Sequence, residues 1–263
     1  MKKEVLKLFK QIGAIAIVTF HELIREKILW SSFLFGILCV GLAYAVSQLS
    51  FVESARIALS FGLTAVSIVG GLISVVMGAS LIAKEVQNRT LYLVLTKSVW
   101  RWQLVLGRYL GLCGVLVLNT ACMIFILFVV FLFLGGSFQI QFLQCLLLQL
   151  IELGILSSIA CIFSAFTTPT LAAVFTLGIW VIGHAMEGFQ IVVKKAEISG
   201  LLNGVLNILI QVLPDLTRFD VKAQIAHTLP LTWLYTMHTV FYGVSYIVFA
   251  LVLSCFIFSK RDL

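Results

Sequence analysis

The sequence predicts an all-α, polytopic membrane protein in which residues 1–263 form a single transmembrane domain. Of these residues, 61% are hydrophobic and only 11% are charged, whereas a soluble domain carries about 25% charged residues. The apolar runs reach the roughly 20 residues that a helix needs to cross a bilayer core of about 30 Å. They are continuous and lack the alternation of barrel strands, so helices are the structure that satisfies their backbone groups in lipid.

An amphipathic helix is predicted over residues 13–27, ahead of the first apolar run. His21, Glu22 and Arg25 share one side of this helix, and Phe20 and Leu23 lie on the other. Lysines flank it on both sides, so the helix should lie in the cytoplasmic interface. The alternative is that it forms the first turns of the first span, because periodicity alone does not separate the two.

Six spans are predicted, with the N- and C-termini both in the cytoplasm. They cover residues 28–49, 60–83, 102–134, 139–166, 168–190 and 232–258. In this arrangement the 18 basic residues are concentrated inside, and those outside are Arg56, Lys194, Lys195, Arg218 and Lys222. This asymmetry agrees with the positive-inside rule. The third span is long enough that it should tilt or extend past the membrane.

An external segment is predicted over residues 191–231, before the last span. Within it, residues 198–214 are apolar with a polar residue at every fourth position: Ser199, Asn203, Asn207 and Gln211. Such a register gives a helix one wet face, which favours a helix lying on or dipping into the outer leaflet. A seventh span is the alternative, but the stretch is short and a further crossing would place the C-terminus outside.

Two predicted spans carry stripes of polar residues at membrane depth. The fourth has Gln141, Cys145, Gln149 and Glu152, and the fifth has Thr176, Trp180, His184 and Glu187. A carboxylate inside a membrane is expensive and should face a bundle interior or a watery cavity. Glu152 is the deepest, and it belongs either to a substrate path or gate or to a buried helix–helix hydrogen bond. His184 and Glu187 are expected nearer the surface, as a solvated pair.

Small residues form two further stripes. Gly70, Ser74 and Gly78 repeat every four positions in the second span, and Gly107 and Gly111 form a GxxxG motif in the third. Such stripes let helix backbones approach closely. They indicate packing either within this chain or across a dimer seam.

The chain lacks the signatures of an independent enzyme. It has no GxxxxGK[ST], HExxH or GxSxG motif and no cytoplasmic segment long enough for a catalytic domain. The HxxE spacing of His184 and Glu187 offers two ligands, too few for a tetrahedral zinc shell, so no metal site is predicted. The basic residues cluster at the ends of apolar runs, which indicates topology and not nucleic-acid binding.

Charge is concentrated in "KEVQNRTLYLVLTKSVWRWQ", residues 84–103, between the second and third spans. Its central part, Arg89 to Leu95, is compatible with a short helix whose apolar residues include Leu91 and Leu95. A short helix of this kind at the cytoplasmic mouth is suited to docking in a partner's groove. The alternative is an ordinary polar loop.

The same stretch resembles the first cytoplasmic region of ABC-2 type permeases, most closely those associated with multicopper-enzyme maturation. Further matches in the expected order are "FHELIREKILW", "FSAFTTPTLAA", "LPDLTRFD" and "FSKRDL", so the resemblance covers nearly the whole chain. The sequence departs from the usual pattern at Ser98, where Pro is common, and at Trp100, where a small or polar residue is usual.

This resemblance implies a type V exporter-like fold with an N-terminal elbow helix over 13–27, six spans and an external or re-entrant helix before the sixth. It implies that residues 84–101 form a coupling helix that contacts the ATPase through Glu85, Arg89, Thr90, Leu91, Leu95 and Arg101. Two separate ABC ATPase subunits would bind ATP and Mg²⁺, so this chain needs no cofactor. A permease homodimer or pseudo-symmetric heterodimer in the bacterial inner membrane is expected.

The predicted function is therefore that of a non-catalytic permease subunit of an ATP-driven exporter. Its substrate path would include Gln149, Glu152, His184, Glu187, Asn203 and Asn207. One alternative is a membrane scaffold that transmits ATPase motion without moving a substrate. Another is an ion-driven secondary transporter, although the inverted repeats and broken spans typical of that class are not evident.

Overall fold

The computed structural model describes residues 2–25, 54–87, 100–134, 141–186, 213–226 and 231–260, with residues 34, 36–38, 40, 41, 44, 45 and 188. This described part is helical and contains no strand. The elements in chain order are α1 (Lys2–Arg25), α2 (Ser54–Gln87), α3 (Arg101–Phe133), α4 (Gln141–Phe166), α5 (Pro169–His184), a 3₁₀ helix (Leu216–Phe219), α6 (Lys222–Ala226) and α7 (Trp233–Lys260).

Four of these helices are long and apolar enough to cross a membrane. They are Ala58–Ala83 within α2, then α3, α4 and α7, and they confirm apolar helices at the second, third, fourth and sixth predicted spans. Helix α5 lies within the fifth predicted span, 168–190; it ends at His184 with a turn at Ala185, and residues 187, 189 and 190 lie outside the described residues. At about 1.5 Å per residue, its 16 residues reach only about 24 Å. The predicted first span, 28–49, lies almost wholly outside the described residues.

Helix α4 lies at the centre of the bundle, in contact with α2, α3, α5, α7 and the segment 213–226. Hydroxyl groups from three neighbouring helices donate to its backbone carbonyls: Ser74 Oγ to Leu153 at 2.8 Å, Tyr109 Oη to Gly154 at 3.0 Å, and Ser254 Oγ to Cys161 at 3.1 Å. Because lipid tails are as apolar as leucine, such bonds and close packing hold membrane helices together. Helix α4 is therefore the element from which the rest of the bundle is positioned.

The glycine stripes are used for packing within the chain. A Cβ at Gly78 would lie 2.7 Å from Ala160 Cβ on α4. A Cβ at Gly107 would lie 2.7 Å from Ile15 Cβ, and one at Gly111 would lie 2.7 Å from the Ala16 carbonyl oxygen. The stripe of Gly70, Ser74 and Gly78 thus seats α2 on α4, and the GxxxG motif seats α1 on α3.

Helix α1 starts at Lys2, well before the predicted start at residue 13, and lies along α3. Thr19 and Leu23 are buried against the bundle, whereas Phe9, Ile17 and Val18 are exposed on the other side. Arg108 of α3 pairs with Glu22 at 3.4 Å between Nη1 and Oε2. An amphipathic helix held along the bundle in this way suits a membrane interface.

Candidate functional site

The two predicted polar stripes meet in the structure at Glu152 and His184. Glu152 is fully buried near the middle of α4, and His184 is the last residue of α5. His184 Nε2 lies 3.4 Å from Glu152 Oε1, and His184 Nδ1 lies 3.2 Å from the carbonyl oxygen of Trp180. The His184 side chain is 28% exposed and contacts the buried carboxylate, whereas Glu187, its expected partner, lies outside the described residues.

The groups around this pair are polar but incompletely bonded. Neither carboxylate oxygen of Glu152 has hydrogen-bond geometry with a described residue, and the same holds for Gln149 Nε2 and Trp180 Nε1. The Trp180 indole lies beside the Glu152 carboxylate and packs edge-on against the His184 ring, with ring centroids 5.9 Å apart. Buried polar atoms without partners are rare in proteins and mark places where ligands, water or protons bind.

A glycine on α2 makes room for the indole. A Cβ at Gly71 would lie 2.5 Å from the ring of Trp180, so only glycine permits the ring to sit where it does. The position of Trp180 therefore depends on the close approach of α2 and α5. Because His184 follows one turn later on the same helix, its position depends on this approach as well.

The segment 213–226 covers this site at the end of α5. Leu216 packs on Gly183 of α5, where a Cβ would lie 2.8 Å from its side chain, and Phe219 packs on Gly243 of α7. Val221 and Ile225 are also buried. The alternation of apolar and polar residues in "LTRFDVKAQI" is the sequence signal for this burial.

The covering segment brings a charged pair towards Glu152. Lys222 Nζ lies 3.5 Å from Asp220 Oδ1, and the Lys222 side chain is 12% exposed. Both charges act on Glu152 and on His184. The sequence pattern placed Lys222 only among the basic residues expected outside the membrane. No linear pattern links Lys222 to Glu152, which lies 70 positions earlier.

A second ion pair fixes the start of the same segment. Arg218 Nε donates to Asp215 Oδ2 at 2.9 Å, which raises the pKa of the Arg218 guanidinium. Tyr242 Oη of α7 accepts from the Asp215 backbone N–H at 3.0 Å, and Tyr235 Oη donates to the Arg218 carbonyl at 2.9 Å. The segment is thus anchored to α7 as well as packed on α5.

At the opposite end of the bundle, Ser164 of α4 is inserted into the backbone of α2. Its hydroxyl donates to the Ala79 carbonyl at 2.8 Å and accepts from the backbone N–H of Ala83 at 2.9 Å and of Ile82 at 3.1 Å. Ala79 and Ala83 are the two residues that one turn of helical bonding normally joins. A side chain inserted in this ladder is a recognised cause of helix bending.

Arg101 lies at the same end, at the start of α3. Its Nη1 donates to the Ser259 carbonyl at 3.0 Å and to the Phe258 carbonyl at 3.4 Å, at the C-terminal end of α7. A cation suits this position because a helix C-terminus carries partial negative charge. Trp100 precedes α3, and its backbone N–H donates to Gln103 Oε1 at 2.9 Å.

The other predicted site residues lie outside the described part of the chain. They are Arg89, Thr90, Leu91, Leu95, Glu187, Asn203 and Asn207, together with the side chain of Glu85, whose backbone belongs to the last turns of α2. Among the described residues, no group of three His, Cys, Asp or Glu side chains is placed to hold a metal ion.

Comparison with known proteins gives one family. A family model described as "ABC-2 family transporter protein" matches residues 13–263, nearly the whole chain. No curated protein matches the sequence significantly.

Proposed function

The chain belongs to the ABC-2 family of transporter proteins, and from this premise we propose that it is the permease subunit of an ATP-driven exporter in a bacterial cytoplasmic membrane. Members of the family are membrane components of ABC transporters and work with ABC ATPase partners. The observation that carries the proposal is the family match over residues 13–263. The link to multicopper-enzyme maturation has no support in that match, and we leave it aside.

In this proposal the segment 84–101 is the coupling helix, and two ATPase subunits bind ATP and Mg²⁺. Glu85, Arg89, Thr90, Leu91 and Leu95 would form the docking surface. Support comes from the two ends of the segment, because both lead directly into the bundle. At one end α2 is bonded through Ala79 and Ala83 to Ser164, and at the other end Arg101 holds the last carbonyls of α7.

Movement of the coupling helix would therefore reach two places at once. Displacement of α2 would act on its backbone turn from Ala79 to Ala83, to which Ser164 is bonded. Displacement of Arg101 would act on the C-terminal end of α7. Both helices pack on α4. Glu152 lies 12 residues before Ser164 on that helix, or about 18 Å along its axis.

The substrate path of the exporter would pass the buried polar cluster of Gln149, Glu152 and His184, under the segment 213–226. A membrane carboxylate that faces the bundle interior is a functional candidate by default. Glu187, Asn203 and Asn207 would continue the path outward. Because both glycine stripes pack within the chain, the face that joins two permeases in a dimer would lie elsewhere.

Co-purification with the ATPase tests the proposal. The double variant Glu85→Lys/Arg89→Glu reverses both charges in the docking surface, and we expect a P-loop ATPase that co-purifies with the wild type in mild detergent to be lost. The matched control is Asp215→Arg/Arg218→Asp, which reverses an ion pair of 2.9 Å on the outer side of the bundle and should leave the complex intact.

The result separates three cases. Loss from the first variant alone supports docking at residues 84–101. Retention by a well-folded first variant places the docking surface elsewhere. If no ATPase accompanies the wild type, the permease proposal itself fails.

A further inference from the structure

We propose that Glu152 and His184 together form a proton-binding site that holds one proton while the segment 213–226 is seated over it. The inference concerns the side chains of α4 and α5 alone and does not depend on the exporter function or on an ATPase. The ligand is H⁺ itself, shared between a carboxylate and an imidazole inside the bundle.

The hydrogen-bond chemistry of His184 carries the first step. Its Nδ1 lies 3.2 Å from the Trp180 carbonyl oxygen, which only accepts, so Nδ1 must carry a hydrogen. In a neutral imidazole the other nitrogen is then an acceptor. That nitrogen, Nε2, lies 3.4 Å from Glu152 Oε1, and an ionised carboxylate also only accepts. Two acceptors face each other across this distance unless one further proton lies between them.

Either position of that proton gives a favourable arrangement. On the carboxyl group it makes a neutral acid that donates to a neutral imidazole, and on Nε2 it makes an imidazolium that pairs with a carboxylate. Both forms contain the same number of protons. The proposal therefore concerns the pair, whichever partner carries the charge.

The balance of charge around the pair points the same way. Lys222 is paired with Asp220 at 3.5 Å, so part of its charge is already neutralised. With neutral His184 and ionised Glu152, a full negative charge would lie on a side chain that has no exposed surface and no hydrogen-bond partner among the described residues. Burying an uncompensated charge is strongly unfavourable, and one proton removes it. A proton also occupies no volume, which suits a carboxylate packed on all sides.

Other titratable groups reach this region from each packed element. They are Cys145 on α4, Lys222 and Asp220 on the covering segment, and Tyr242 and Tyr246 on α7, with Tyr109 on α3 bonded to the α4 backbone one turn from the centre of the site. No acid, base, cysteine or tyrosine occurs in the described α2 side chains that face α4. Among these groups, Glu152 and His184 are the pair whose facing atoms, Oε1 and Nε2, lie 3.4 Å apart and can share a proton.

A consequence for pH follows. Losing the proton leaves a buried negative charge, which disfavours the seated arrangement. The stability that the proton contributes is therefore present at low pH and is lost as the pH rises through the range in which the pair gives up its proton.

Infrared difference spectroscopy of the lipid-reconstituted full chain during a pH titration tests the site directly. The chain has 11 Asp and Glu residues, so the signal is isolated by subtracting variants. We expect a titrating carboxylic-acid or imidazolium band in the wild type that disappears in both Glu152→Gln and His184→Gln. The control Glu22→Gln removes an exposed carboxylate of α1, which does not act on the pair, and should keep the band.

A second measurement guards against a variant that fails to fold. The thermal unfolding midpoint of the wild type should fall as the pH rises, and that dependence should flatten in Glu152→Gln if the variant retains wild-type helical content. A band that persists in both variants overturns the proposal. So does a wild type that shows no titrating band, or a pH dependence unchanged by Glu152→Gln. None of these results bears on ATPase docking, so the exporter proposal stands or falls separately.

Discussion

The two halves of α4 differ in how their buried polar groups are bonded. In the half towards Phe166, the hydroxyls of Ser157, Ser158 and Ser164 all donate to backbone carbonyls. In the half towards Gln141, Gln144 and Gln149 each have a buried side-chain atom without a described partner, and Glu152 has two. The polar side chains compared in the two halves are all buried, so exposure does not explain the difference.

The difference indicates that the two halves of α4 have different roles. Satisfied hydroxyls hold α2 and α4 together, because breaking such a bond leaves a buried backbone group unpaired. Unsatisfied side chains add little to stability, and buried charges of this kind are often less stable than apolar replacements. The presence of Gln149 and Glu152 at one end of α4 is therefore better explained by what passes or binds there.

The largest expected effect comes from Glu152→Leu, which should separate activity from stability. In a host strain deleted for this chain and complemented with the variant, we expect export to fall by roughly tenfold or more, since a hydrogen bond to a charged group is worth about 1.5–3 kcal/mol. The thermal unfolding midpoint of the purified variant should stay unchanged or rise, because leucine replaces a buried polar side chain whose oxygens lack hydrogen-bond partners among the described residues.

Gln144→Leu is the matched control for this substitution. It also replaces a buried polar side chain on the outer half of α4, but one that lies away from His184. Its export should resemble that of the wild type. A Glu152→Leu protein that exports normally, or that unfolds at a clearly lower temperature, would show that Glu152 serves packing and would remove the contrast between the halves.

Gly78→Ala should give the largest loss of stability on the other half. The new Cβ would lie 2.7 Å from Ala160 Cβ and 3.3 Å from Ser157 Cα, and neither atom can rotate away. Helices α2 and α4 must then separate, and overpacking of this kind costs about 1–3 kcal/mol. The free energy of unfolding measured in detergent, or the thermal midpoint, would show it.

Substitutions at two other glycines provide a scale for the loss of stability expected from Gly78→Ala. Gly178→Ala adds a methyl group where no atom lies within 4 Å and should be close to neutral. Gly71→Ala meets only the ring of Trp180, a side chain that can turn, so its loss of stability should be smaller than that of Gly78→Ala. Equal losses at Gly71 and Gly78 would mean that the outer half is as rigid as the inner one.

Much of the fold followed from local patterns. Apolar runs of membrane-crossing length predicted α2, α3, α4 and α7, and the spacing of Gln149, Glu152, Trp180 and His184 placed polar stripes on α4 and α5. The apolar runs and the polar stripes each depend only on residues within a few turns of one helix. The periodicity of the sequence reports such local features.

What the patterns missed depends on contacts between distant segments. Leu216 packs on Gly183 near the end of α5, and Lys222 approaches Glu152 from a segment whose Ile225 is buried. In the sequence, Ser164 is one serine among several in α4, and its insertion between Ala79 and Ala83 needs the geometry of two packed helices. GxxxG likewise marks a close approach without naming the partner, which here is α1.

Ser164→Ala gives the smallest of these effects and the most specific one. The substitution removes the hydroxyl that joins the Ala79 carbonyl to the Ala83 N–H. Interhelical hydrogen bonds in membranes contribute about 0.6 kcal/mol on average, and a bond that satisfies backbone groups should lie nearer 1 kcal/mol. We expect a small drop in the thermal midpoint, with faster hydrogen exchange confined to the last turns of α2.

Ser158→Ala is the control, because its hydroxyl donates at 2.7 Å to the Ile155 carbonyl of its own helix and touches no backbone of α2. It should leave exchange in α2 unchanged. If the two variants behave alike, Ser164 is an ordinary buried serine. If only Ser164→Ala loosens α2, and ATP turnover in the permease–ATPase complex then continues while export falls, the α2 turn at Ala79–Ala83 is the point at which motion from residues 84–101 enters the bundle.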